Sequence, residues 1–317
     1  MSASASTALA AHRVPSSHPT GRVTYVTPHH VAPRIHQIIP AVRGTITEYS
    51  LPTVSAFPRS ITAGSDGNVW FVENGAVQIG KITPDGTITE YPANLNTDDS
   101  TITNGPDGNL WFTAGSTSYI GKITTSGVVT TYPLPMNDGL THQGGIAAGS
   151  DGNLWFTMSG DYFDCIGRIT PSGTVTEYQL PTSTGPSGIA AGPKGTMWFT
   201  ESSKIGSIAV NSGVITEYPL PNPNSYPYSI TQGAKGTMWF TEPQANKIGV
   251  ISSTTGSIKE YSIPTPSSYP YGIAQGADGK YWFTESSKIG VINAKGKITE
   301  YPLPPSSNGP SGITAGH

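Results

Sequence analysis

The chain has 317 residues, room for two average domains or one large all-β domain, and its 38 glycines and 28 prolines point to many turns. Only 12% of residues are charged and the net charge is −3, so there is no basic field to hold a nucleic acid or an anionic membrane. No apolar run approaches the ~18 residues needed to span a bilayer, and the single cysteine, Cys165, excludes an internal disulfide or a cysteine metal site and reads as a small buried apolar residue.

In chain order, residues 1–17 form a Ser/Ala-rich segment without the apolar stretch of a signal peptide and read as a flexible tail. Residues 18–317 read as one domain. Three short β-rich segments come first, at Gly21–Thr27, Arg34–Ile39 and Thr45–Tyr49. A repeat then takes over, marked by all six tryptophans: Trp70, Trp111, Trp155, Trp198, Trp239 and Trp282, spaced 41, 44, 43, 41 and 43 residues apart. Each copy holds an Ile-Thr/Ala-x-Gly segment, a Trp-Phe segment, an Ile-Gly-x-Ile segment and a Thr-Glu-Tyr segment or its variant. All are short, rich in β-branched or aromatic residues and bounded by turn signals, the pattern of strands. Asp66-Gly67, Asp107-Gly108, Asp151-Gly152 and Asp278-Gly279 supply the turn between the first two strands, and Asp85-Gly86, Ser172-Gly173 and Lys295-Gly296 the turn between the last two.

Four antiparallel strands per unit of ~40–45 residues make the blade of a β-propeller. The Thr-Glu-Tyr segment and the first segment each occur seven times, the Trp-Phe segment only six. The missing copy is degenerate and N-terminal: Gly21–Thr27 aligns with Gly67–Glu73 and Arg34–Ile39 with Gln78–Thr83. The expected fold is therefore an all-β, seven-bladed propeller whose last blade combines three N-terminal strands with one C-terminal strand near Ile313–Gly316.

Strand alternation puts the residues before each first strand and those after each Trp-Phe strand around one channel mouth. Arg59, Tyr226, Tyr228, Tyr269 and Tyr271 come from the first set; Glu73, Glu201, Glu242 and Glu285 from the second. Carboxylates crowded there would repel unless hydrated, paired with Arg59 or bound to a cation. Tyrosines beside carboxylates suit a ring-bearing or cationic ligand. His142, and His29 with His30 from the composite blade, are the histidines nearest that mouth.

The phrase Gly-Ile-Ala-Ala-Gly-Pro-Lys-Gly-Thr-Met-Trp-Phe-Thr-Glu at 188–201, followed by Lys-Ile-Gly and Ile-Thr-Glu-Tyr-Pro-Leu-Pro, resembles the streptogramin B (virginiamycin B) lyase family, and the likeness runs from about residue 18 to the end. The resemblance implies a seven-bladed propeller that opens a cyclic depsipeptide by elimination at an ester bond. It also implies a histidine base, and Mg²⁺ held by acidic residues. Of that set only Glu285 has a counterpart here, as a metal ligand. Tyr228 and Tyr271 stand where the histidines belong, and Tyr269 stands at the acidic position. A phenol near pKa ~10 is a poor base at neutral pH.

The function expected is a lyase-like propeller without lyase chemistry that binds a small molecule, peptide or glycan through a Tyr/Glu-lined mouth. Arg59, Tyr226, Tyr228, Tyr269, Tyr271, Glu201 and Glu242 would contact the ligand. The residues by themselves require no cofactor. The alternative is an active Mg²⁺-dependent carbon–oxygen lyase, or another metal-assisted enzyme, with its base relocated to His142 or Tyr271 and Glu285 on the metal. A monomer is expected, with neither nucleic acid nor membrane as partner, and the Lys-poor, Ser/Thr/Gly-rich composition favours a secreted or cell-surface location.

Overall fold

The structure is a computed structural model and describes residues 22–27, 34–39, 45–98, 100–115, 117–135, 140–160, 164–182, 185–304 and 309–316. The N-terminal tail and the histidine pair His29 and His30 lie outside the described residues. The fold is an all-β propeller. Six blades each come from one contiguous stretch and carry four antiparallel strands in sequence order; one runs Ile189–Gly192, Thr196–Glu201, Lys204–Ala209 and Ile215–Pro219. One further four-stranded sheet is composite. In it the C-terminal strand Ile313–Gly316 pairs antiparallel with Arg22–Thr27, followed by Arg34–Ile39 and Thr45–Ser50. Its innermost strand neighbours both Ile273–Gln275 and Pro58–Ala63, so the innermost strands follow one another in a closed circuit.

The repeat phrase follows from how a blade packs. In Ile-Gly-x-Ile the glycine makes room: the preceding Phe ring lies across it, and a methyl at Gly80, Gly121, Gly167, Gly206, Gly249 or Gly290 would fall 2.1–2.3 Å from that ring. The Trp indole N–H, buried with its ring, needs an acceptor. The turn aspartate supplies one for Trp70, Trp111, Trp155 and Trp282, at 3.0–3.3 Å. Where the turn reads Lys-Gly-Thr instead, the hydroxyls of Thr196 and Thr237 accept from Trp198 and Trp239.

The apolar core lies between blades. Trp70, Val72 and Ile79 of one blade pack with Ile102, Leu110, Phe112 and Ile123 of the next, and the pattern recurs around the ring. At the outer edge, among the described residues, the tyrosines of six fourth strands lie against the turn glycine of the following blade. Tyr91 covers Gly127 and Tyr178 covers Gly213, both glycines at positive φ. Tyr49 of the composite sheet covers Gly86 in the same way. No helix among the described residues is long and apolar enough to cross a membrane, and Cys165 is a buried free thiol.

Candidate functional site

The heads of the innermost strands enclose a cavity of about 240 Å³ on the propeller axis. Each sheet contributes three successive residues: 59–61, 100–102, 144–146, 187–189, 228–230, 271–273 and 311–313. The third is always isoleucine, which anchors the triplet in the core.

The threonine of Trp-Phe-Thr fixes the triplets to one another. Thr200 Oγ1 accepts from Gly188 N of its own blade at 2.9 Å and donates to Tyr228 O of the next at 2.9 Å. Thr157 joins Gly145 to Ser187, Thr241 joins Ser229 to Tyr271, and Thr284 joins Gly272 to Ser311 in the same manner. Gly188 N also donates to Tyr228 O at 3.0 Å, and Gly312 N to Arg59 O at 2.8 Å. With the backbone pinned this way, the first residue of each triplet has only its side chain left to vary.

Those first residues make the cavity two-sided. Ser100, Gly144 and Ser187 form a small, polar arc. Opposite them stand Tyr228, Tyr271, Ser311 and Arg59. The Tyr228 and Tyr271 rings are tilted by 36° with centroids 4.0 Å apart. Arg59 Nη2 donates to Tyr271 Oη at 2.9 Å, and the guanidinium lies 5.9 Å from that ring's centroid. Burial, with Tyr271 adding to it, pushes the Tyr228 phenol above its ordinary range against the opposing pull of Arg59. Tyr228 is therefore a neutral hydrogen-bonding and stacking group, not a base.

The other expected residues lie elsewhere. Tyr226 and Tyr269 are 52% and 51% exposed and sit outside the cavity wall, each at positive φ just before a proline. Phe57 takes the same conformation in its blade. Backbone of this kind costs about 1–3 kcal/mol per residue; Phe57, unlike the two tyrosines, is only partly exposed, with its ring against Gly75.

Glu201, Glu242 and Glu285, with Glu73, do not line the cavity: they are 0–1% exposed. The reason is the pleat. The glutamate stands two residues after the Phe that crosses the third strand, so it shares that face and points along the blade, while the threonine between them takes the opposite face. Burial, with Glu300 adding to it, raises Glu285 to about 8; burial, with Glu260 adding and Lys247 opposing, raises Glu242 to about 7; burial, with Glu90 adding, raises Glu73 to about 8.

These placements bear on the Mg²⁺ that the resemblance implies at the mouth. Glu285 is turned into the blade beside Gly290, and Tyr269 offers no carboxylate. Among the described residues no three His, Cys, Asp or Glu side chains converge as a metal-binding group. The residues present at the mouth do not fit that ion. His142 is exposed at the start of an irregular nine-residue strand, Leu140–Ala148, and does not line the cavity.

Beside it stands Gln143, part of the blade-entry segment His142-Gln143-Gly144. Gln143 is buried, accepts from Ala114 N at 3.1 Å and donates to Thr117 O, tying this strand to the preceding blade.

The model of the Virginiamycin B lyase family matches residues 25–99, 93–284 and 201–317. A crystal structure of selenomethionine-substituted virginiamycin B lyase from Staphylococcus aureus is 41% identical with a TM-score of 0.74, covering 89% of this chain and 92% of that one. A streptogramin B lyase structure is 37% identical with a TM-score of 0.77, covering 87% and 93%. A catalytically inactive histidine-to-alanine variant of the S. aureus enzyme with quinupristin is 39% identical with a TM-score of 0.73, covering 90% and 96%. No curated protein sequence matches significantly. The matched segments extend over most of the chain, and the chain belongs to the virginiamycin B lyase family.

Proposed function

We propose that this family member is a binding or interaction module whose site is the axial cavity, that it has lost lyase chemistry, and that the composite sheet serves as a seventh blade closing the ring. One observation carries the functional reading: Tyr228 and Tyr271 pair in the cavity wall, with Arg59 hydrogen-bonded to Tyr271, at the positions where the family resemblance puts histidines. Removing a proton next to a carbonyl needs a base whose pKa lies near the working pH. Burial holds Tyr228 far above that, and no histidine among the described residues lines the cavity. The S. aureus enzyme is catalytically inactive as a histidine-to-alanine variant.

The two rings offer a stacking surface for a ring-bearing ligand. Arg59 and the serine arc offer hydrogen bonds to its carbonyl or hydroxyl oxygens. At about 240 Å³ the cavity lies below the ~300–1,000 Å³ of pockets that bury a whole drug-sized ligand. A side group of a peptide or glycan enters it, while the rest lies on the rim near Tyr226 and Tyr269.

The second reading, an active lyase, is favoured by the identity of 37–41% to structures of lyases over most of both chains. Incubation with quinupristin, with and without Mg²⁺, separates the two when followed by mass spectrometry. The binding-module reading expects intact cyclic compound in both arms. It also expects a peptide- or glycan-array hit that disappears in Tyr228→Ala and Tyr271→Ala. A linear product of unchanged mass establishes elimination and overturns it.

A further inference from the structure

The charge facing the axial cavity has the opposite sign to that expected from the sequence. Carboxylates at the mouth would have suited a cationic ligand, but the pleat buries Glu73, Glu201, Glu242 and Glu285 in their blades, and none of them lines the cavity. Among the described residues of the wall, Arg59 carries the only charge. The polar side chains around it are the hydroxyls of serine, threonine and tyrosine.

The backbone does not restore the lost acceptors. A ring of carbonyls at the strand heads could have held a cation, yet these carbonyls are already engaged in hydrogen bonds. Gly144 O accepts from the Thr101 and Thr113 hydroxyls, Ser187 O from Thr157 Oγ1 and Gly145 N, and Tyr228 O from Thr200 Oγ1 and Gly188 N. Tyr271 O accepts from Thr241 Oγ1, Ser311 O from Thr284 Oγ1, and Arg59 O from Gly312 N. The side chains, by contrast, are set to donate. Tyr271 Oη accepts from Arg59 Nη2 at 2.9 Å, which leaves the phenol's own proton to give. Burial keeps Tyr228 protonated as well. A negatively charged acceptor is the complement of such a wall, because hydrogen bonds to an ionised group are about twice as strong as neutral ones.

We propose that the axial cavity recognises an aromatic carboxylate, its carboxylate at Arg59 and Tyr271 and its ring against Tyr228. The inference rests on the reading of this cavity as the binding site and names the chemistry of the group that enters it. The size agrees. A cavity of ~150 Å³ accommodates benzene, so about 240 Å³ holds a single ring together with its carboxylate. The paired rings of Tyr228 and Tyr271, with centroids 4.0 Å apart, supply the aromatic surface that such a ring stacks on. A cationic group would instead bring its charge against Arg59 inside a cavity, where salt screens less than at an open surface.

The test titrates the full chain, near neutral pH, with probes of one shape and different charge: benzoate, its neutral amide benzamide, and the cation benzamidine. Binding is read by saturation-transfer NMR and calorimetry. We expect a Kd for benzoate in the millimolar range, binding of benzamide about tenfold weaker, and none of benzamidine. This series on the unaltered chain decides the sign of the charge. Arg59→Gln should weaken benzoate about tenfold and leave benzamide within about twofold, a split that a merely structural role would not produce. Tyr271→Phe, which keeps the ring, should weaken benzoate severalfold. Equal binding of benzoate and benzamide, or a preference for benzamidine, would overturn the inference and leave the cavity standing as a binding site. Failure of all the probes at tens of millimolar would overturn both.

Discussion

Arg59 and Tyr271, 212 residues apart in sequence, meet through a 2.9 Å hydrogen bond on the cavity wall. Their strands are not neighbours: the C-terminal strand Ile313–Gly316 runs between them. The bond therefore reaches across the place where the chain ends are joined, and Gly312 N, bonded to Arg59 O, sits under the same bridge. Removing either partner tests its worth. Tyr271→Phe keeps the ring against Tyr228 and loses only the hydroxyl, while Arg59→Met loses the donor. A double-mutant cycle by urea unfolding should give a coupling of about 1–2 kcal/mol. Additive losses would show that the bond contributes nothing to the closure.

Closure itself has a direct test. Deleting Ser307 to His317 removes the strand that pairs with Arg22–Thr27 and flanks two blades. It exposes the edge of the N-terminal sheet and opens the circuit. Deleting residues 1–16 removes none of the described strands. The C-terminal truncation should lose far more stability in chemical denaturation, and equal losses would contradict the closed ring.

The threonines behind the cavity make a third prediction. Thr284 Oγ1 accepts from Gly272 N at 2.9 Å and donates to Ser311 O at 2.8 Å, both bonds buried. Thr284→Val keeps the shape, as Val72 shows at the matching position of another blade. It strands both backbone groups, and the expected loss is about 1–3 kcal/mol. Because Ser311 leads into the C-terminal strand, this variant should also sensitise that strand to carboxypeptidase. Unchanged stability would mean that water replaces the hydroxyl.

Glu242 predicts how stability depends on pH. Its folded value is raised from an ordinary 4.5 to about 7 by burial, with Glu260 adding to it and the Ser225 hydroxyl and Lys247 opposing. The folded chain thus keeps a proton that the unfolded chain releases. Its contribution is complete below about pH 4.5, declines as pH rises towards 7 and levels off above that, at a total of at most about 3 kcal/mol. The Tm should fall between pH 5 and 8, and Glu242→Gln should fall less. An identical slope in the variant would remove Glu242 as a cause.

The repeat length, the four strands of each unit and the turn glycines were all legible in the chain itself, because they are written in local signals. Six tryptophans at near-constant spacing, alternating β-rich segments and Asp-Gly turns each act within a few residues. The pairing of the two chain ends was legible from counting the segments. Arg59, Tyr228 and Tyr271 could be placed at the mouth because each heads an innermost strand.

The fate of the glutamates could not be read in the same way. A residue after Trp-Phe-Thr lies near the mouth in sequence, yet the pleat turns Glu201, Glu242 and Glu285 into the blade beside lysines and glutamates of other strands. Nor does one repeat reveal that Thr200 serves a carbonyl of the following blade. Sequence period specified what each strand is, since that depends on near neighbours along the chain. Only the closed ring settled which polar groups meet, because burial and pairing between blades exist once the sheets are set side by side.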